Sequence, residues 1–483
     1  MSRSGSGVVQ LDVEAVEPAG EFGGVVYERV RGTVHGMLGP DEDVAGIDLL
    51  PMVDDGCYPY RAEFEVIRTD GVDHAVTVVD AENRGGPSVF GLVTGVDLRA
   101  GSVPERRSGA PSGVSYPVGM GPGCMFDLGL AYARVQWQTG HAESVPVYAQ
   151  GVGLVIVRDF ARALAGGNHP ELGRHPRLVL SGASQSAWFV NTFVAEGFNV
   201  DPDTGGPVFA GALPYLSAGN WLAINRLAAD DVPQDPYVRP DGVPLTAGEV
   251  LRRPASDPFL VDVASYTEYY RLRASVFAGA PLPERARRYD LPGPHAPGSP
   301  DLAAAAFELL GCNDGIEVPL NPTSSTPYVR ALLVGLANEL GANIDGPRLP
   351  PSTTFELGPA PPAGPHFNAL PGVELRVPLV DADAQPLGGV RIHDVELPLG
   401  RPEPVALSPC GTSSIADVCG NFGGWQAFSA AEVARRYGDA DSYVARCVPI
   451  VDRLVDDGFV LVRDRDALLD TARRAVSRAL EAR

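Results

Sequence analysis

The chain has 483 residues, 45% of them apolar, and sets 60 acidic side chains against 38 basic ones, a formal net charge of −22. That acidity argues against a nucleic-acid or anionic-membrane binder, and the apolar share is ample for a core in two or three domains or one large domain with insertions. Every basic residue is Arg, so chemistry that needs a Lys nucleophile or a Lys Schiff base is excluded.

No apolar run reaches the roughly 18 residues of a membrane span. The opening stretch Met1–Gln10 lacks an apolar h-region, so no secretory signal is read and a cytoplasmic location is expected. The six cysteines (Cys57, Cys124, Cys312, Cys410, Cys419, Cys447) form no C-x-x-C pair. They read as free thiols, with Cys410–Cys419 the one candidate bridge. The 56 Gly and 45 Pro fit long irregular connections, because apolar segments keep recurring between them.

In chain order, Val25–Val30 and Tyr60–Ile67 alternate apolar and polar residues and predict antiparallel strands at the start of a sheet. After the turn Arg68–Gly71, His74–Val79 reads as a buried strand. It runs into Ala81-Glu82-Asn83-Arg84-Gly85-Gly86, a Gly-rich loop. Tyr132–Trp137 is the next strand and Val152–Leu164 a helix closed by Gly166-Gly167. Pro176–Asn199 then reads in three pieces: the apolar run Leu178-Val179-Leu180, a tight turn Gly182-Ala183-Ser184-Gln185-Ser186, and a helix from Gln185 carrying Phe189, Val190, Phe193 and Val194.

Val208–Tyr215 is a further strand. Residues 216–257, rich in Pro and mixed charge, break the rhythm and predict a cap or lid. Phe259–Ser265 and Arg287–Leu291 are strands, each followed at once by polar residues, Thr267-Glu268-Tyr269-Tyr270 and Pro292-Gly293-Pro294-His295. Downstream, Ala303–Leu310, Tyr328–Leu340, Tyr443–Val455 and Asp466–Ala482 read as helices, and Val373–Val380 and Val390–Leu399 as strands. The alternation predicts an α/β fold, a mostly parallel central sheet with helices on both faces. Residues 1–215 and 258–300 form its core, 216–257 the cap and 301–483 a helical and β extension packed on the core.

Strand, sharp serine turn and helix are the parts of a nucleophile elbow, with Ser184 at its apex and the Gln185 N–H at the helix N-terminus where an oxyanion would form. A plain strand-to-helix turn is the alternative. The loop at Arg84 and Gly85 is placed to supply a second oxyanion donor, glycine letting the backbone come close to a substrate. Acyl transfer also needs a base and an acid. Of the eight histidines, His35, His74, His169 and His175 precede the elbow in unsuitable places, and His141 is a candidate pocket residue. His295 follows a strand and is preferred as base over His366 and His393. Glu268 is preferred as acid over Asp262, which lies inside a strand, and over Asp290, which is too near His295. The aromatic residues Tyr215, Trp221, Tyr269, Tyr270 and Trp188 are candidates for lining an apolar substrate pocket. No two histidines have metal-ligand spacing, and no metal or cofactor is expected.

With these blocks in place the chain resembles α/β-hydrolase-domain proteins whose elbow reads G-x-S-Q-S-G. The matching stretches are Asn83–Gly86, Gly182–Ser186 with Val194–Asn199, Thr267–Tyr270 and Pro292–His295. The resemblance implies a serine carboxylic-ester hydrolase with Ser184, Glu268 and His295 as its triad. Ala187 stands where the family has Gly, Trp188 where it has Arg, and Pro292 where it has the Gly before its histidine. The expected function is therefore ester hydrolysis through an acyl-enzyme on a small-molecule ester, in a protein compatible with a homo-oligomer. A lactonase or amidase with the same triad, or a non-catalytic binding protein of the same fold, are the alternatives.

Overall fold

A computed structural model describes residues 5–53, 56–91, 125–167, 169–226, 243–295, 304, 307–308, 312, 318–360, 372–405 and 419–482. The chain divides into two compact units. One holds residues 1–260, 281–286 and 340–344; the other holds 261–280, 287–339 and 345–483.

In the first unit the strands β1 (Gly7–Phe22), β2 (Val25–Leu38), β3 (Tyr58–Arg68), β4 (Thr77–Ala81), β5 (Ala131–Val135), β6 (Leu178–Ala183) and β7 (Gly211–Tyr215) lie in the order β1-β2-β3-β5-β4-β6-β7. Gly23-Gly24, both at positive φ (57° and 78°), close the β1–β2 hairpin, the backbone that a two-residue turn between right-twisted strands requires. Pairing is antiparallel from β1 through β3 to β5 and parallel across β5, β4, β6 and β7. The change shows in the side chains. The first half of β3 alternates between covered and exposed positions, whereas β4 and β7 are buried at every residue, as strands covered on both faces must be. Helices α1 (Val152–Gly166) and α2 (Gln185–Ala195) cover the sheet, α1 against β1, β2 and β5, α2 against β4, β6 and β7. A short α3 (Ala247–Val250) carries a capping box between Thr246 and Glu249. Of the expected cap, residues 227–242 lie outside the described residues.

Strand β8 (Phe259–Ser265) leaves this unit; its Phe259 N–H donates to the Ala210 carbonyl at 2.9 Å. The remainder of β8 and most of β9 (Ala286–Leu291) belong to the second unit, where the Tyr266 N–H reaches the Leu291 carbonyl at 3.1 Å. Arg288 is fully buried there between Asp262 (2.6 Å) and Asp290 (3.0 Å), an ion pair whose desolvation is offset only because both carboxylates are close. The second unit continues with α4 (Glu268–Arg271), α5 (Thr326–Glu339), the ribbon β10 (Leu357–Pro359) with β11 (Arg376–Pro378), α6 (His393–Glu396), the ribbon β12 (Gly400–Glu403) with β13 (Gly424–Ala427), and helices α7 (Ala430–Tyr437), α8 (Ala440–Asp456) and α9 (Arg465–Glu481). Of the expected helix 303–310, the described residues Ala304, Phe307 and Glu308 are helical.

Two expectations for this unit are corrected. Val390–Leu399 is not a strand. Val390 donates to the Asp290 carbonyl, Ile392 turns back on Val390, and His393–Glu396 form one helical turn. Apolar residues at 390, 392, 395 and 397 fit a short strand and a single turn equally, so periodicity does not decide. Nor are all the cysteines thiols. Cys419 is bridged to Cys312, Cα atoms 5.6 Å apart, across 107 residues; Cys410 lies outside the described residues. Structural disulfides are common in oxidising compartments and rare in the reducing cytoplasm. Closing so long a loop restrains the unfolded chain. Cys312→Ser is therefore expected to cost on the order of 4 kcal/mol, read as a lower urea midpoint that dithiothreitol reproduces in the wild type and not in the variant. Among the described residues no helix is long and apolar enough to cross a membrane.

One buried pair in the first unit makes stability depend on pH. The His175 Nε2–H donates to the Leu172 carbonyl at 2.9 Å, and Nδ1 accepts from the Thr77 hydroxyl at 2.6 Å. Burial holds its pKa down at about 4. The unfolded chain then binds the extra proton first, so native stability falls as pH drops from about 6.5 to 4. The burial of Asp80 acts in the opposite sense, raising its pKa to about 6, so the two must be separated by comparison with a variant. The gap in unfolding free energy between wild type and His175→Gln is expected to narrow by about 3 kcal/mol between pH 7 and pH 4, measured by urea titration. A gap that is the same at both pH values would show that His175 is not held neutral.

Candidate active site

The first unit contains the strand-to-helix turn at Ser184. Strand β6 ends at Ala183, and Ser184 stands at φ 57°, ψ −120° before α2 begins at Gln185. A β-carbon makes this conformation unfavourable, and it persists only where the surroundings impose it. They do so on both sides. The Ser184 N–H donates to the Tyr215 carbonyl of β7 at 3.0 Å, and its own carbonyl accepts the Trp188 N–H at 3.2 Å. Gly182 is required because a β-carbon there would lie 2.5 Å from the Ser186 carbonyl oxygen. Ser186, in place of the usual glycine, fits because its hydroxyl turns back to donate to the Ala183 carbonyl at 2.9 Å. Gln185 opens α2, so its N–H points out of the positive end of an 11-residue helix. Its side-chain Oε1 and Nε2 are both buried and have no hydrogen-bond partner among the described residues.

Beside the elbow, Asn83–Gly86 make a two-residue turn with Arg84 at φ 52° and Gly85 at φ 75°, closed by Asn83 N–H to Gly86 carbonyl at 2.7 Å and the reverse at 3.2 Å. The Asn83 side-chain amide donates to the Ala183 carbonyl at 3.1 Å, so turn and elbow are tied together. The Arg84 N–H is already given to the Gln138 side chain at 2.9 Å. Gly85 has no room for a side chain, since a β-carbon would meet the His141 ring nitrogen at 2.2 Å. His141 thus covers the turn, and burial lowers its pKa.

The second unit, described by itself, contains an acid–histidine pair. Glu268, the first residue of α4, is fully buried. Its Oε2 accepts the Ser265 N–H at 2.5 Å, and its Oε1 lies 3.5 Å from Nδ1 of His295, which is also buried. The turn after β9 brings His295 there, with the Gly293 carbonyl accepting the Thr267 N–H at 3.4 Å. Of the other candidate bases, His393 lies 3.6 Å from Asp394, and His366 is outside the described residues. Among the described residues no cluster of three or more His, Cys, Asp or Glu could hold a metal.

The aromatic candidates lie in several environments. Tyr215 is buried at the end of β7. Trp221 donates its indole N–H to the Val243 carbonyl at 3.3 Å and lies under Arg226, 4.4 Å away. Trp188 is half-buried on α2. Tyr269 is fully buried, with its hydroxyl given to Asp290 at 2.5 Å. Residues that the sequence reading passed over are Asp80, Ser88 and Gln138, which hold the Asn83–Gly86 turn. An Asp inside the apolar run of β4 was the available signal, because a buried carboxylate must find donors.

A family model described as an alpha/beta hydrolase domain matches residues 126–470. No curated protein matches the chain. Among solved structures, the chain is similar to a glucuronoyl esterase from Solibacter usitatus at 10% identity, over 59% of this chain and 81% of that one, with a TM-score of 0.31. It is similar to a promiscuous CE15 esterase from a marine bacterial metagenome at 12% identity, over 54% and 70%, TM-score 0.26. To a putative acetyl xylan esterase from Bacteroides fragilis the figures are 12% identity, 58% and 69%, and a TM-score of 0.29.

Proposed function

We propose that this chain, which belongs to the alpha/beta hydrolase domain family, is a serine hydrolase of carboxylic esters that works through an acyl-enzyme on Ser184. The observation that carries the proposal is the backbone of Ser184, held at φ 57°, ψ −120° in the turn from β6 to α2. A serine kept in an unfavourable conformation at a helix N-terminus is what nucleophilic catalysis uses and what a structural turn avoids. In this reading His295 takes the Ser184 proton as the hydroxyl oxygen attacks the ester carbonyl. Glu268 holds the histidine with Nδ1 protonated and stabilises the imidazolium. The oxyanion is received by the Gln185 N–H and, since the Arg84 N–H is given to Gln138, by the N–H of Gly85. The alcohol leaves with the proton from His295, and a water molecule activated by the same histidine releases the acid.

The test is active-site labelling. A fluorophosphonate probe is expected to modify Ser184 and no other serine, identified by mass spectrometry of the labelled peptide. A panel of p-nitrophenyl esters, lactones and anilides then fixes the class, with esters expected to turn over fastest. A protein that takes up no probe is not a serine hydrolase.

A further inference from the structure

We propose that Asp80 and Ser88 are positioning residues that lock the oxyanion turn Asn83–Gly86 to the nucleophile elbow. The inference rests on the serine-hydrolase reading and adds to it the device that keeps its two halves in register.

The need for such a device follows from the sheet. The β4–β6 ladder ends at the pair Asp80–Ser181, two residues short of Ala183, so on the β4 side the Ala183 N–H and carbonyl have no strand to pair with. The chain after β4 fills the gap with side chains. The Ser88 hydroxyl accepts the Ala183 N–H at 3.3 Å, sharing that donor with the Ser186 hydroxyl at 3.1 Å, and the Asn83 amide donates to the Ala183 carbonyl at 3.1 Å. Both peptide groups of the residue before the nucleophile are therefore held from the loop that carries the second oxyanion donor.

Asp80 holds Ser88 in turn. Its Oδ1 accepts the Ser88 hydroxyl at 2.5 Å, and its Oδ2 accepts the N–H groups of Ser88 (2.9 Å) and Val89 (3.0 Å) and the Tyr132 hydroxyl (2.9 Å). All four partners are donors and the carboxylate is 1% exposed. The two N–H groups are fixed donors to Oδ2, whereas the Ser88 hydroxyl also lies 3.0 Å from the Ala81 carbonyl and can donate there while accepting from a protonated Oδ1, so the brace holds with Asp80 in either protonation state.

Ser88→Ala removes one of the two links from the loop to Ala183, leaving that of Asn83, and keeps the loop's length. Because misplacing a catalytic group by about 1 Å costs on the order of 100-fold, the variant is expected to lose about ten- to a hundredfold in kcat with KM within about twofold, and to lose probe-labelling rate in parallel. Ser88→Thr, which keeps a hydroxyl, is expected to recover most of that rate. Asp80→Asn, whose amide oxygen keeps the two N–H groups and whose NH₂ donates to the Ser88 oxygen, is expected to retain most of the rate, whereas Asp80→Ala is expected to lose rate as Ser88→Ala does. Should either Asp80 variant fail to fold, the two Ser88 variants decide. A Ser88→Ala enzyme that melts earlier yet matches wild-type kcat where both are folded reduces the brace to a structural contact and overturns the proposal. A wild type that neither hydrolyses esters nor takes the probe overturns the serine-hydrolase reading and the brace with it; a wild type that does both, with an unimpaired Ser88→Ala, overturns the brace alone.

Discussion

Ser184→Ala is expected to lower kcat for p-nitrophenyl ester hydrolysis by at least about 10⁴-fold and to abolish fluorophosphonate labelling, leaving only the weak catalysis that oxyanion donors and binding supply without a nucleophile. The fold should not be the cause. Alanine keeps the β-carbon, and the backbone bonds to Tyr215 and Trp188 do not involve the hydroxyl. Its thermal midpoint should therefore stay close to that of wild type. Ser184→Gly separates strain from chemistry. At φ 57°, ψ −120° only glycine is free of the penalty for a β-carbon, so the glycine variant should be equally inactive but about 1 kcal/mol more stable than the alanine variant in urea. Full ester hydrolysis by Ser184→Ala would remove the nucleophile assignment. Equal stability of the two variants would show that the elbow is not strained.

The elbow was legible in the sequence because all its parts are local. A short apolar strand, small residues at the turn and a helical repeat lie within 24 consecutive residues from Pro176 to Asn199. The parallel centre of the sheet was legible for a similar reason, since strands covered on both faces carry unbroken apolar runs such as Leu178–Leu180. Glu268 and His295 were proposed from their positions just past β8 and β9, and the structure places the two side chains 3.5 Å apart. What the sequence left hidden depends on partners far apart in the chain. Nothing near Cys419 points to Cys312, 107 residues away. Asp80 looks like an interruption of a strand until Ser88, Val89 and Tyr132 are seen to donate to it. The reading of Tyr269 as a pocket residue met the same limit. An aromatic after a strand can face substrate or core, and the nearby Arg288 and Asp290 bind its hydroxyl in the core.

Glu268→Gln tests the other half of the chemistry, and its expected effect follows from hydrogen-bond direction. One carboxylate oxygen of Glu268 accepts the Ser265 N–H at 2.5 Å while the other faces Nδ1 of His295 at 3.5 Å. In glutamine one of these positions becomes an NH₂ group. The Ser265 N–H is a fixed donor, so the amide oxygen must stay with it and the NH₂ must face the histidine. Nδ1 then becomes an acceptor, and the ring's proton moves to Nε2. An imidazole protonated at Nε2 cannot take a proton from a serine. The loss expected for a wrong tautomer is about 10⁴-fold in kcat with little change in KM, while the buried side chain keeps its size and the variant stays folded. Measured on a p-nitrophenyl ester, a kcat within about tenfold of wild type would show that Glu268 does not orient the base, and would turn attention to the His393–Asp394 pair. A drop matched by His295→Ala, with no further loss in the double variant, would show that the two residues act as one unit.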